Sequence, residues 1–275
     1  MIHHPPQLRK IRKSTALLCL IFSVFISRLP AQDTGGSVFG QKDNTVAGLI
    51  GIMYDLKQNQ KRQPTGVDPV QYPSIIEEFL KKNWDESVLN RYFRAARPLY
   101  TTQIFIPLMS ADDAPKAFDV DKVMKPSVWV VHYKGQVSPP EDGNYRFIAY
   151  ADDVIAVGIN GKTVCVGPHR ASPLRVWTSP EKKKAGKAGN GELTYGEWIT
   201  LKKDEPIDLD VMIGERPGGQ FCAFLLYEKQ GTDYPREGEV IRYPIFQLAP
   251  FDTPVRPIGQ AALFSEADKV WKAHQ

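Results

Sequence analysis

The sequence is poor in the residues from which zinc sites are usually built. Its 275 residues include three cysteines and five histidines. Beyond the first thirty residues the histidines are His132, His169 and His274, and none has a second histidine three or four positions away. Zinc sites commonly draw ligands from such close pairs. The sequence therefore offers little support for a zinc-type site.

Catalytic signatures are also scarce. No G-x-S-x-G nucleophile elbow occurs, and no spacing singles out a pair of carboxylates for glycoside hydrolysis. Residues 158–163 end in Gly-Lys-Thr, as a phosphate-binding loop does. However, Ala156 stands where that loop requires its first glycine, and the flanking residues are strand-like on both sides. We predict that the chain is not an enzyme.

Long apolar runs are missing, and the one short run lies near the N-terminus. It spans residues 16–26, follows a basic patch at residues 9–13, and precedes Leu29-Pro30-Ala31. In a helix it would reach roughly 16 Å, about half of a bilayer's hydrocarbon core. This pattern is typical of a cleavable secretory signal. We predict a signal peptide at residues 1–31, a secreted or periplasmic location, and no transmembrane anchor after cleavage.

A strong net charge is missing once this segment is set aside. Residues 1–31 hold five basic side chains and no acidic ones, which leaves 30 basic against 31 acidic residues in the remainder. A balanced surface provides no electrostatic attraction toward phosphate backbones. We therefore expect no nucleic-acid partner.

The sequence does contain a succession of short strand-like segments. They are residues 45–54, 103–108, 127–137, 144–150, 154–159, 162–166, 197–201, 207–213 and 221–227. Asn160-Gly161 is a two-residue hairpin signal, and we interpret residues 143–166 as one β-hairpin. Residues 154–159 are apolar throughout, which predicts a central strand buried on both faces. The pattern predicts an all-β fold, an antiparallel β-sandwich.

Two additions to the sandwich are predicted. Helical patterns at residues 74–82 and 86–96, the second with Asp85 as its N-cap, form a small helical insertion at about 73–97. The proline-containing tail at 230–275 is interpreted as a strap that ends in a short helix at 265–273. The domain organisation is then a polar leader at 32–44, the sandwich at 45–229, and the C-terminal strap.

The two cysteines beyond the signal, Cys165 and Cys222, both lie in strand-like runs. Export permits a disulfide between them. The alternative is two small buried thiols that pack as hydrophobic side chains. Pairing requires Cα atoms within about 7 Å, so both possibilities stay open at this point.

Polar residues with a candidate function follow two of the strands. Asp152 and Asp153 come directly after the strand at 144–150, and two adjacent carboxylates suit a hard cation such as Ca²⁺. The alternative is that they cap a turn. Glu215 and Arg216 lie in the turn at 214–219 and are candidates for ligand contacts beside the aspartates. The alternative for them is a wide hairpin loop.

Taken in order, these segments resemble the protective-antigen-type (PA-fourteen) β-sandwich, in its bacterial secreted form. That family has the approximate pattern W-x-G-x-I-x-x-P-x-x-G-x-Y-x-F, then an Asp-Asp pair, then a hydrophobic strand that reaches an I-D/N-G-K turn. The matching stretches are 129–137, 139–147, Asp152-Asp153 and 157–162. The resemblance extends over about residues 47–229, with the helical stretch as additional material.

The resemblance implies an extracellular sandwich that often recognises carbohydrate. In yeast adhesins of this family, two consecutive aspartates joined by a cis peptide bind a calcium ion that also holds sugar hydroxyls, and Asp152 and Asp153 match that pair. The adhesins supply an asparagine from a second calcium loop, whereas residues 214–219 contain none. Trp177 and Tyr195 are candidates for stacking on sugar rings, with core packing as the alternative.

These observations lead to one prediction and one alternative. We predict a secreted or periplasmic module that binds carbohydrate or a cell-surface polymer, with calcium as the candidate cofactor. The alternative is a non-catalytic structural subunit of a cell-envelope or extracellular assembly, with a protein as its partner.

Overall fold

The computed structural model describes residue 1 and residues 36–45, 47–250, 262–265 and 269–274. The predicted signal peptide lies outside the described residues except for Met1. The helices are α1 (Tyr72–Lys81) and α2 (Asp113–Ala117), and a 3₁₀ turn spans Leu89–Arg91. The first eight strands are β1 (Leu49–Asn59), β2 (Tyr92–Arg94), β3 (Leu99–Thr101), β4 (Phe105–Ser110), β5 (Trp129–Ser138), β6 (Gly143–Asp152), β7 (Val154–Ile159) and β8 (Lys162–Val166). The later ones are β9 (Gly186–Ala188), β10 (Gly191–Tyr195), β11 (Ile199–Leu201), β12 (Ile207–Glu215), β13 (Gln220–Lys229), β14 (Arg236–Glu237), β15 (Val240–Ile241) and β16 (Lys272–His274).

Two antiparallel sheets make up the body of the protein. The first has the order β2-β1-β5-β12-β7-β8, with β3 paired to β1 and β16 paired to β5. The second has the order β4-β13-β6-β10-β9, with β11 paired to β6. The predicted all-β antiparallel sandwich is confirmed by this topology.

The core lies in layers on both sides of each sheet. Alternate residues of β5, β12, β6 and β13 meet between the sheets around Trp129, Phe147 and Phe221. On the outer face of the first sheet, α1 buries Ile76 and Phe79 against the strands. The outer face of the second sheet is covered by Tyr243 and other residues that follow β13. Because both faces of each sheet are covered, β7 is buried along its whole length, as its continuous apolar sequence predicts.

The predicted hairpin at residues 143–166 is correct for β7 and β8 and wrong for β6. β7 and β8 pair around Asn160 and Gly161, which both have positive φ, as a two-residue turn requires. β6, however, pairs with β13 in the second sheet, whereas β7 pairs with β12 in the first. The chain passes from one sheet to the other at Asp153. Hydrophobic alternation cannot reveal this change of sheet, because a strand buried on both faces fits either one.

The helical insertion is confirmed for its first helix and wrong for its second. α1 buries the predicted apolar face. Residues 86–96 instead form the 3₁₀ turn and then β2, which pairs with β1. Val88 and Leu89 are fully buried without a continuous helix. Strand pairing with β1 satisfies the backbone there, so tertiary contacts override a local helical pattern.

The predicted C-terminal helix is also wrong where the structure describes it. Lys272–His274 is a strand, β16, which pairs with β5. Trp271 before it is fully buried and packs against the aromatic rings of Tyr145, Phe147, Tyr227 and Phe246. The tail therefore completes the sandwich by strand pairing and one large anchor side chain. Among the described residues, no helix is long and apolar enough to cross a membrane.

The disulfide alternative for the two cysteines is wrong, because both are free and buried. Cys165 belongs to the core between the sheets, whereas Cys222 belongs to the outer core of the second sheet. Their side chains occupy different layers. Burial raises the pKa of each thiol to about 12, so both remain protonated hydrophobic side chains at neutral pH.

Candidate cation and ligand site

The corner where the chain changes sheets carries the two predicted aspartates. Asp152 is the last residue of β6, and Asp153 is the single residue that separates it from β7. The peptide bond between them is cis, as in the adhesin pair to which the resemblance points. The side chain of Asp152 is 15% exposed, whereas Asp153 is 2% exposed. One carboxylate therefore faces an opening at the surface and the other lies beneath it.

Asp153 is held by hydrogen bonds from two loops. Its Oδ1 accepts a bond of 2.6 Å from the Ser172 hydroxyl, and its Oδ2 accepts one of 2.8 Å from the backbone amide of Arg216. Its own amide donates to the carbonyl of Gly214 at 3.0 Å. Each carboxylate oxygen has two lone pairs, so each keeps acceptor capacity after these bonds. Asp153 fixes the corner and still has lone pairs to offer.

Asp152 has a different partner, which the sequence analysis missed. The side-chain amide of Asn190, in the turn between β9 and β10, donates to its Oδ2, and Tyr150 donates its hydroxyl to Asn190 Oδ1 at 2.7 Å. Burial raises the pKa of Asp152, the Asn190 bond lowers it, and the charge of Asp153 raises it. The net direction is upward. An asparagine therefore contacts Asp152, although residues 214–219 contain none.

His169 is the second residue that the sequence analysis did not assign to this site. It lies in the loop after β8, and its backbone amide donates to the Asp153 carbonyl at 2.7 Å. Ligand atoms of Asp152, Asp153 and His169 all lie within 4.8 Å of one another. The side chain of His169 is 20% exposed. Nothing in the sequence signals this proximity, because His169 is brought near the aspartates by the change of sheet at Asp153.

Glu215 and Arg216 are placed beside the aspartates, but in different roles. Glu215 ends β12 and is 1% exposed, so it lies beneath the surface and not on a rim. Its Oε1 accepts a bond of 2.7 Å from the Gly218 amide, and its Oε2 has no hydrogen-bond partner among the described residues. Burial, and then the charge of Asp153, raises the pKa of Glu215 to about 9. Arg216 donates from Nη2 to the Ala171 carbonyl at 2.9 Å, which ties its loop to that of His169.

Calcium fits part of this donor set. It takes about six to eight oxygen ligands, many of them carboxylates, and the two aspartates supply carboxylate oxygens with free lone pairs. The His169 imidazole does not fit, because calcium sites are built from oxygen. A nitrogen ligand is typical of zinc and other transition metals. Two of the three side chains therefore suit calcium and the third does not.

The two aromatic candidates for sugar stacking both make contacts within the protein. Trp177 is half-buried and donates from Nε1 to Glu197 at 3.2 Å. Tyr195 lies 4.0 Å from the guanidinium of Arg146 and hydrogen-bonds to the Tyr243 hydroxyl. Both are engaged by the protein itself, which favours the packing alternative for them.

No protein-family model matches the sequence, and a search of the curated proteins finds no match. Among solved structures, the chain is similar to a PA14 sugar-binding domain from an RTX adhesin, with 18% identity over 73% of this chain and 95% of that one, at a TM-score of 0.44. It is similar to the PA14 domain of the MpAFP antifreeze protein, with 16% identity over 70% and 90%, at a TM-score of 0.43. A third is the epithelial adhesin 6 A domain from Candida glabrata in complex with Galb1-3GlcNAc, with 15% identity over 83% and 98%, at a TM-score of 0.41.

These likenesses concern the fold. The chain is an antiparallel β-sandwich of the PA14-like type. Its central sequence motif resembles that of PA14 domains, and solved PA14 domains are among the structures to which it is similar.

Proposed function

We propose that this protein is a secreted or cell-envelope binding module that holds a carbohydrate or surface polymer through a divalent cation at Asp152 and Asp153. The observation that carries the proposal is the convergence of three side chains with ligand atoms within 4.8 Å, at an opening on the surface. Calcium is the cation that the family resemblance implies, and it is the first one to test.

The chemistry of the site supports a hydroxylated ligand. A cation held by two carboxylates keeps open positions, and these accept water or the vicinal hydroxyls of a sugar. Asp152 and His169 are partly exposed, so a ligand reaches the site from their side. Asn190 is exposed at the same opening and Arg216 is partly exposed. Their amide and guanidinium groups are suited to donate hydrogen bonds to ligand oxygens.

A glycan array with and without EDTA tests the proposal. We expect the chain to retain a defined set of glycans in the presence of calcium or zinc and to lose them with EDTA. Asp152→Asn keeps the shape of the side chain and removes its charge, so it should abolish retention. Asp233→Asn is the matched control and should bind normally, because Asp233 is exposed and follows the end of β13, whereas Cys222 near the start of β13 pairs with Asp152.

Two results would contradict the proposal. Retention that is indifferent to EDTA and to Asp152→Asn would place carbohydrate binding outside this site. An array without any binding, together with stable oligomers in solution, would favour the alternative of a structural subunit.

A further inference from the structure

An imidazole nitrogen completes the donor set beside the two aspartates. His169 Nδ1 lies 4.0 Å from Asp152 Oδ1, a separation too long for a hydrogen bond. The two groups are therefore neighbours without a direct bond. Ligand atoms of both, and of Asp153, lie within 4.8 Å of one another. Such a spacing leaves room for an ion between the side chains.

The position of His169 is fixed by its backbone. The Gly167 amide donates to the Ile155 carbonyl at 2.9 Å, and the His169 amide donates to the Asp153 carbonyl at 2.7 Å. The Ser172 amide donates to the His169 carbonyl at 2.9 Å. These bonds tie the loop, and with it the backbone of His169, to the same corner that carries the aspartates.

One ring nitrogen of His169 accepts a hydrogen bond from its own loop. The Ala171 amide donates to His169 Nδ1 at 3.3 Å, so this nitrogen carries a lone pair. Neutral imidazole is the form that ligates metals. The bond to Ala171 is long, and it is the one side-chain hydrogen bond that His169 makes within the part of the chain that the structure describes, so an ion can replace it.

A second observation points to a cation independently of the three ligands. Glu215 is 1% exposed, and its Oε2 has no hydrogen-bond partner among the described residues. The backbone amide of the next residue, Arg216, donates to Asp153, so Glu215 is adjacent in the chain to a bond that holds the site. An unsatisfied buried carboxyl oxygen is costly. A cation or its bound water beside Asp153 would offset that cost.

We propose that the site prefers a divalent metal that accepts nitrogen, of the zinc class, over calcium, with Asp152, Asp153 and His169 as its ligands. This inference shares one assumption with the proposed function, namely that Asp152 and Asp153 hold a cation. Zinc combines imidazole and carboxylate ligands, and three protein ligands leave a position open to solvent or substrate. Imidazole also raises affinity for zinc relative to the alkaline-earth ions, which prefer carboxylate, carbonyl and water.

The test is isothermal titration of the chelator-stripped full chain with zinc and, separately, with calcium. The protein titrated carries His3→Gln and His4→Gln, so that these two imidazoles cannot contribute to zinc binding. We expect one equivalent of zinc to bind at least roughly tenfold more tightly than calcium. His169→Gln should weaken zinc binding by roughly tenfold or more, since losing even an outer-shell partner of a metal ligand costs about 10–100-fold.

Two further variants sharpen the test. His274→Gln removes an imidazole at β16, far from the corner, and should leave zinc binding unchanged. His169→Asp replaces nitrogen by oxygen and should reverse the preference toward calcium. Cobalt(II) provides a spectroscopic readout, because its visible bands depend on nitrogen coordination and should change in His169→Gln. Thermal unfolding of each variant with EDTA checks that the fold is retained.

The outcomes separate this inference from the proposed function. The metal preference would be overturned if calcium bound more tightly than zinc, or if His169→Gln left zinc binding unaffected. Neither result would contradict cation-dependent retention of glycans. Zinc binding that depends on His169, combined with a glycan array without binding, would support the metal preference and overturn the carbohydrate function.

Discussion

The backbone carbonyl of Asp153 accepts a hydrogen bond of 2.7 Å from the backbone amide of His169. This bond joins the residue at which the chain changes sheets to the loop that follows β8. It brings an imidazole to two carboxylates that the sequence places sixteen and seventeen positions earlier. The arrangement at the corner is therefore a property of the backbone path, and substitutions can separate its structural and ligand-binding parts.

The two aspartates should differ in their contribution to stability. Asp153→Ala leaves the Ser172 hydroxyl and the Arg216 amide without their acceptor in a buried site, so we expect a loss of about 2–4 kcal/mol in the free energy of unfolding. Asp152 is partly exposed and repelled by Asp153, so Asp152→Ala should cost about 0–1 kcal/mol. Urea unfolding with EDTA measures both. Equal losses would contradict the division of roles.

Stability should fall with pH because of Glu215. Burial and the charge of Asp153 raise the pKa of Glu215 from its usual 4.5 to about 9 in the folded chain. Between these values the folded state holds a proton that the unfolded state releases. This contribution is fully present below about pH 4.5 and is lost as pH rises toward 9, by at most about 1.4 kcal/mol per pH unit.

The variant Glu215→Gln keeps the side chain neutral at every pH. Relative to it, the metal-free wild type should become progressively less stable from pH 5 to pH 8. Urea unfolding at several pH values with EDTA measures the difference. If the free energies of unfolding of the wild type and of Glu215→Gln change with pH in parallel, the pKa of Glu215 is not raised in the folded chain.

The C-terminal strand should contribute strongly to stability through one side chain. Trp271 is fully buried among four aromatic rings, so Trp271→Ala should cost about 3–5 kcal/mol. The matched control is Trp198, which is 39% exposed and contacts the guanidinium of Arg146. Trp198→Ala should cost about 0.5–1 kcal/mol. If the two variants unfold at the same denaturant concentration, the tail is not an integral part of the sandwich.

The two buried cysteines should behave as protected thiols. In a Cys19→Ser chain, we expect Cys165 and Cys222 to react with a thiol reagent only after unfolding, because both are fully buried and their pKa values are raised to about 12. Incubation in an oxidising buffer should not join them. Detection of a Cys165–Cys222 bridge by mass spectrometry in the native chain would contradict their location in different core layers.

Several elements of the fold are predictable from the sequence because their causes are local. The Asn160-Gly161 turn requires two residues that tolerate positive φ, and both are found there with positive φ. The continuous apolar run of β7 predicts burial on both faces. The apolar face of α1 follows directly from helical spacing.

The errors fall where distant parts of the chain compete with local preference. Residues 86–96 have a helical pattern, yet β1 offers an edge with which Tyr92–Arg94 pairs. The end of the tail forms β16 because β5 presents unpaired backbone groups to it. In both cases hydrogen bonds to a remote strand outweigh helix propensities of a few tenths of a kcal/mol per residue.

The sequence by itself determined the sandwich, its central turn and the pair Asp152-Asp153, because alternation, turn residues and adjacent carboxylates are visible within a few residues. Only the tertiary structure decided which side chains surround that pair. His169 and Asn190 arrive from separate loops, and they meet Asp152 because β6 and β7 join different sheets at Asp153. Proximity of this kind depends on the path of the backbone through space, and no local pattern encodes it.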